Sequence, residues 1–244
     1  REMLDYWQDK TYESIAKRYV SAEEYKAGKM GMGPLSAAWL EAMSSANVPY
    51  QNAIKHGMGG LLSAVEKKLK EAEAALNTGP GDPDKINLMD RLDQYKAMLM
   101  VGRAWQNWVR RYSRLARIIA ENFETDPKRK EELRQMSERL ARNASEPPEH
   151  FHEALQLVIL IGVMAKTVER SHTGWGLLAD QLFWSFYEKD VKTDKILTKR
   201  DILELFAEWR IRIFELGKYQ GRFYREIQQG MTDPRVINIG GVKA

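Results

Sequence analysis

The chain has 244 residues, 43% apolar and 30% charged, with a formal net charge of +4. The apolar share suffices for a sizeable core, and a small net charge without a basic run or aromatic–basic platform argues against a nucleic-acid binder. There is no cysteine, which excludes disulfides, thiolate metal sites and a thiol nucleophile within these residues.

Arg1-Glu2-Met3-Leu4-Asp5 is no signal peptide. The chain does not begin with methionine, as expected of a segment cut from something longer, although trimming of a mature chain leaves the same start. Leu4, Trp7 and Tyr12 mark a short amphipathic stretch, and Lys26 to Gly33 is a glycine-rich loop. Residues 34–46 read as a short helix, which Val48-Pro49 breaks. A helix follows over 50–76, closed by Thr78-Gly79-Pro80-Gly81-Asp82-Pro83, the strongest breaker in the sequence.

Beyond it, Leu88, Leu92, Tyr95, Leu99, Gly102, Trp105, Val109, Tyr112, Ala116, Ile119 and Phe123 recur at steps of three and four. That period predicts one long helix needing partners along its whole face, with Trp105, Trp108 and Tyr112 as core. Asp126-Pro127 starts the next helix, since aspartate caps and proline suits the first helical position. It runs to about Arg142, before Pro147-Pro148. A nearly all-apolar helix over 149–167 is expected to be buried. Its longest apolar run, Ala154 to Ala165, falls short of the ~20 residues that span a bilayer, so no membrane partner is expected. Ser171 to Gly176 is a polar break, and Leu178 to Asp190 reads as a helix. Thr198 with Asp201 forms a capping box for a helix carrying Ile202, Phe206, Trp209, Ile213 and Leu216. Residues 235–241 are the one convincing strand. Alone, the sequence is mainly α with a lone strand at its end, and one strand makes no sheet.

Four blocks in order resemble glycyl radical enzymes of the pyruvate formate-lyase-like family. They are Tyr112-Ser113-Arg114-Leu115-Ala116 with Asp126 to Leu133; Pro147-Pro148-Glu149-His150-Phe151-His152-Glu153-Ala154-Leu155-Gln156; His172-Thr173-Gly174-Trp175 through Asp180-Gln181, with Tyr187-Glu188-Lys189-Asp190; and Val236-Ile237-Asn238-Ile239-Gly240-Gly241. The likeness runs from about Tyr50 onward, and more loosely over Tyr6 to Thr11.

The resemblance implies a ten-stranded α/β barrel, of which this chain is a partial domain. Residues 1–80 would form N-terminal helices and a loop, 83–230 a helical layer, and 235–241 a strand beginning the barrel. It also implies a thiyl-forming cysteine and a radical-storing glycine beyond Ala244, installed as a radical by a separate radical-SAM activating enzyme. Arg235-Val236 shares only the first two residues of the family's glycine-loop signature and is not that loop. The segment would therefore hold no catalytic residue and no metal, and would act within a cytoplasmic, oxygen-sensitive homodimer on a small-molecule substrate.

His172 and Thr173 are the substrate-binding candidates, because the matching His-Ser pair of diol-dehydrating members faces substrate; a loop-bridging histidine is the bland alternative. Trp175 stands where those members carry a small residue, either reshaping the pocket or filling the core. Near Ser45, where many members have a histidine, none occurs until His56. These departures favour a radical lyase or synthase acting on a carbon–carbon bond, of the arylacetate decarboxylase or arylalkylsuccinate synthase type. A diol-type hydro-lyase and a non-catalytic helical scaffold or partner subunit stay open. His150 and His152, two residues apart, have the wrong spacing for ligands on one helical face and read as cap or surface residues. Glu153 and Gln156 are expected to hydrogen-bond loops, Asp180-Gln181 to pack helices, and Arg222, Arg225 and Glu226 to form a charged cluster.

Overall fold

The computed structural model describes residues 5–6, 8–10, 14, 18–29, 48–76, 85–169, 177–215 and 237–238. In chain order the elements are α1 (Ala22–Lys29), α2 (Tyr50–Leu76), α3 (Lys85–Asn122), α4 (Pro127–Asn143), α5 (Phe151–Glu169), β1 (Leu177–Leu178), α6 (Ala179–Tyr187), a π-helical turn (Glu188–Thr193), α7 (Lys199–Glu215) and β2 (Ile237–Asn238). The mainly helical expectation holds. The loop expected over 26–33 is corrected in its first part, since α1 runs to Lys29, and the helix expected over 34–46 lies outside the described residues.

Local capping chemistry sets several helix starts. Asp126 accepts a hydrogen bond from Lys128 N at 3.0 Å and precedes Pro127 at the first helical position. At α7, Thr198 N donates to Asp201 Oδ2 at 2.7 Å while Asp201 N donates to Thr198 Oγ1 at 3.2 Å, the expected reciprocal box. Ser21 and Glu24 do the same for α1. The Ser21 N–H, then its hydroxyl, holds Glu24 below the usual carboxylate range, and the Thr198 hydroxyl, 2.7 Å from Asp201 Oδ2, then its N–H, does the same for Asp201.

The chain divides into two units, residues 49–160 with 183–202, and residues 1–48 with 161–182 and 203–244. In the first, α3 packs between α2 and α4. Leu92, Leu99, Trp105, Val109, Ala116 and Ala120 line its buried face, and Ala116, Ala120 and Leu133 form a cluster with Ile119 and Met136 around it. The predicted stripe is corrected at two places. Tyr112 is 48% and Phe123 73% exposed, while Ser113 and Ala120 take the inward positions. The small Ser113 lets α4 approach, and its hydroxyl donates to Ser137 O at 2.7 Å. A β-carbon on Gly102 would overlap Leu62, so the contact of α2 with α3 depends on a missing side chain.

α2 bends at Gly57, whose φ of 63° and ψ of 169° belong to a region essentially restricted to glycine. A β-carbon there would lie 2.5 Å from the backbone of Ser145, Glu146 and Pro147. Ser145 joins three helices. Its carbonyl accepts from Gly59 N at 2.7 Å, and its hydroxyl accepts from Gln106 Nε2 at 3.1 Å and Arg110 Nη2 at 2.8 Å.

In the other unit β1 pairs with β2 in parallel, Leu177 opposite Ile237 and Leu178 opposite Asn238. The lone-strand reading is therefore corrected: a two-residue strand just after the expected break at 171–176, taking in the first residue of the helix expected from 178, supplies the partner. Phe206 and Trp209 pack with ring centroids 5.2 Å apart, and Trp209 and Ile213 are buried. The expected helix over 178–190 is also corrected. Its α-helical part ends at Tyr187, and the widened turn closes with Asp194 N donating to Lys189 O at 2.7 Å.

Candidate functional site

His172, Thr173 and Trp175 lie outside the described residues, as do Arg222, Arg225 and Glu226. What the fold does assemble is a polar knot at the start of α5, from two sequence blocks separated by some forty residues. Pro147 and Pro148 have no side-chain acceptor with which to cap the helix they precede. The orphan donors of the first turn are met from elsewhere.

Asp190 meets part of this need. Fully buried, it accepts from Phe151 N through Oδ2 at 2.7 Å and bonds His150 Nδ1 through Oδ1 at 2.9 Å. Its own carbonyl accepts from Ile196 N at 2.9 Å and Leu197 N at 3.2 Å, a geometry that follows from the π-helical turn and from Lys195 at φ 55°. Lys189 Nζ donates to Glu149 O at 3.1 Å, and the Phe151 and Phe183 rings stand 5.8 Å apart. The carboxylate sits at the positive end of the α5 dipole, where a negative charge is favoured.

The second side of the knot comes from α4. Asn143, fully buried, donates through Nδ2 to Glu153 O at 3.1 Å and Gln156 Oε1 at 3.2 Å. Glu153 Oε2 accepts from Glu149 N at 2.7 Å. Arg142 reaches Glu149 at 2.7 Å and Glu153 at 3.4 Å. The hydrogen bond that Arg142 donates to Glu149 raises the guanidinium above its usual range and lowers the Glu149 carboxyl. The structural roles expected of Glu153 and Gln156 hold. His150 serves as a cap partner, as expected, but Asp180 and Gln181 are exposed.

His152 departs from the surface reading. It is half-buried, and burial, then the neighbouring Arg139 charge, push its imidazole down to about 4. It is neutral in the fold at neutral pH. Burial lowers Arg139 in turn, against the opposing pull of Glu153 and Glu138. Burial also pushes the Tyr50 hydroxyl well above its ordinary range.

A histidine oriented by a buried aspartate is half of a nucleophile-activating arrangement. Here no hydroxyl or thiol bonds the other ring nitrogen of His150 among the described residues. No group of three His, Cys, Asp or Glu able to hold a metal occurs among them either, and no described helix is long and apolar enough to cross a membrane. The knot is thus a lock between two family-like blocks, and Asp190 and Asn143 are its unpredicted members. The sequence signal for Asp190 is the Tyr187-to-Asp190 block itself.

Comparison with known proteins matches these blocks to a family. The family described as Pyruvate formate lyase-like matches residues 1–244. The glycyl radical subunit of 4-hydroxyphenylacetate decarboxylase from Clostridioides difficile is 30% identical over 167 residues, covering 68% of this chain and 18% of the relative. Isethionate sulfite-lyase from Nitratidesulfovibrio vulgaris is 29% identical over 250 residues, covering 98% of this chain and 29% of the relative. Among solved structures, the glycerol-bound B12-independent glycerol dehydratase from Clostridium butyricum superposes with a TM-score of 0.69 at 22% identity, over 92% of this chain and 27% of that one. That likeness shows the fold alone. The chain spans less than a third of the length of each of these proteins.

Proposed function

The chain belongs to the pyruvate formate lyase-like family, and from that premise we propose that it is one segment of a glycyl radical enzyme acting on a carbon–carbon bond, of the arylacetate decarboxylase or arylalkylsuccinate synthase type. The observation that carries this reading is the 30% identity to a decarboxylase subunit across 68% of the chain. Trp175, and the lack of a histidine near Ser45, point the same way. Both make the site less suited to holding a small diol by hydrogen bonds and more suited to a flat apolar ring.

The glycyl radical, passed to a cysteine as a thiyl, supplies hydrogen abstraction in such an enzyme. This chain has no cysteine, so the thiyl has no place among these residues and no bond-breaking step is assigned to them. Their part is binding. The His172 imidazole and Thr173 hydroxyl offer adjacent donors and acceptors for a substrate carboxylate, and Trp175 offers a face for its ring. Activation by a separate radical-SAM enzyme, a homodimeric state and a cytoplasmic setting complete the proposal. A diol hydro-lyase is the second reading, favoured by the same His172-Thr173 pair.

The test is made on the full-length polypeptide, activated and checked for an organic radical by electron paramagnetic resonance. Arylacetates should release carbon dioxide while glycerol and propanediol stay unchanged. His172→Ala should raise KM about tenfold with a smaller change in kcat, as expected for lost binding common to ground and transition states. Turnover of a diol in place of an arylacetate would replace this reading with the second.

A further inference from the structure

The long helix α3 carries two faces of different character. One is buried against α2 and α4. The other presents Trp108, Tyr112, Leu115 and Ile118 around a shallow depression of about 660 Å³, edged by Arg111 and Arg114. Tyr112, Leu115 and Ile118 are 48%, 48% and 47% exposed. Large side chains grouped at helical spacing on one exposed face mark a contact surface rather than scattered surface residues.

Charge narrows what can sit there. Between Asp93 and Glu121 the helix has no acidic residue, while Lys96, Arg103, Arg110, Arg111, Arg114 and Arg117 are all cationic. Arg103 is paired with Glu66 at 2.7 Å and Arg110 donates to Ser145. Arg111, Arg114 and Arg117 have no ion pair among the described residues. Arg114 and Arg117 also line a second depression of about 410 Å³ between α3 and α4, together with Ser113, Ser137 and Glu138, with which they form no ion pair. An apolar strip with a row of unmatched arginines on one edge complements a helix with an apolar stripe and acidic residues beside it. A second copy of the same face would set arginine against arginine, since a twofold contact pairs a patch with itself.

We infer that this face of α3 seats an acid-bearing amphipathic helix from the same polypeptide, outside residues 1–244. The inference rests on the proposed function, in which this chain is one part of a longer enzyme. The length available agrees, since the chain spans only 18% and 29% of the two curated relatives. The guanidinium forks of Arg111, Arg114 and Arg117 match carboxylates in geometry as well as sign.

The experiment places a benzophenone photo-cross-linker at Tyr112, and separately at Leu115, in the full-length protein. Irradiation should give an adduct within a single polypeptide, mapped by mass spectrometry to a helix beyond residues 1–244 that carries Asp or Glu next to the attachment point. Arg114→Glu with Arg117→Glu should abolish that adduct, and restoring lysine at both positions should recover it in part. An adduct of twice the polypeptide mass would make the face a contact between copies, and one carrying a different protein would make it a partner site. Either result, or attachment to solvent alone, overturns the inference. The radical signal reads the proposed function independently: a protein that shows it without the expected adduct sinks only the docking inference.

Discussion

Replacing His152 by glutamine should remove a defined share of the chain's acid sensitivity. The imidazole drops from 6.5 to about 4 in the fold, with burial as the main cause. Each tenfold change in proton affinity is worth about 1.36 kcal/mol, so protonating His152 costs about 3 kcal/mol more in the folded chain than in the unfolded one. The sign follows from linkage. The folded state binds fewer protons between pH 4 and 6.5, so the full contribution is present above about pH 6.5 and is lost as pH falls through that window. At pH 5 the loss comes to about 2 kcal/mol relative to pH 7.5. The assay is urea unfolding of wild type and His152→Gln at both pH values, followed by circular dichroism. Carboxylates contribute equally to both proteins, so the difference between the two pH dependences isolates His152. It should amount to about 2 kcal/mol, with wild type the more acid-sensitive. Equal pH dependence in the two proteins would mean that His152 is reached by water in the fold, and the burial argument would fail.

Three further outcomes test the packing. Gly57→Ala must force a side chain into a glycine-only conformation and onto the backbone of residues 145–147; it should destabilise by about 3 kcal/mol or more, read as a lower urea midpoint. Asp190→Ala strips the acceptor from Phe151 N and leaves a buried donor unmet, at about 3 kcal/mol, whereas Asp190→Asn keeps an acceptor and should cost about half as much. Hydrogen exchange at Phe151 should quicken in the first variant well before the centre of α3 is affected. Gly102→Ala drives a methyl into Leu62, and the double variant with Leu62→Ala should recover part of the loss, the mark of a direct contact.

Features fixed by neighbouring residues were legible in the sequence. Asp126-Pro127 and Thr198 with Asp201 announce their helices because the capping atoms lie two or three residues away. The order of the family-like blocks was legible too, and the match over residues 1–244 bears out that resemblance. What the sequence hid depends on distant partners. Tyr112 fits the apolar period as well as Val109 does, and only the close approach of α4 decides that Ser113 turns inward. Leu177-Leu178 is too short to show a period, and it becomes a strand only because Ile237-Asn238 lies beside it. Gly57 is one of several glycines in its stretch, and its backbone angle answers to a loop some ninety residues later. Asp190 stands out in the sequence only as the end of the Tyr187-to-Asp190 block, and its capping of Phe151 shows only once α5 lies beside it. For the pocket candidates His172, Thr173 and Trp175, the resemblance remains the basis.

The capping of α5 by Asp190 also governs how this polypeptide can be dissected. A helix is usually started by a residue beside it, and it survives excision with its own cap. Here the acceptor for Phe151 lies 39 residues downstream. A piece ending after Glu169 would retain the whole of α5 and lose what anchors its first turn. It would also expose an almost continuously apolar surface, with Ala154, Leu155, Leu157 and Val158 all buried in the intact chain. A piece extended to Thr198 keeps this cap, but it separates β1 from β2 and from the unit that residues 203–244 complete. A boundary that spares the cap of α5 therefore falls beyond the π-helical turn, not at the end of the helix it serves.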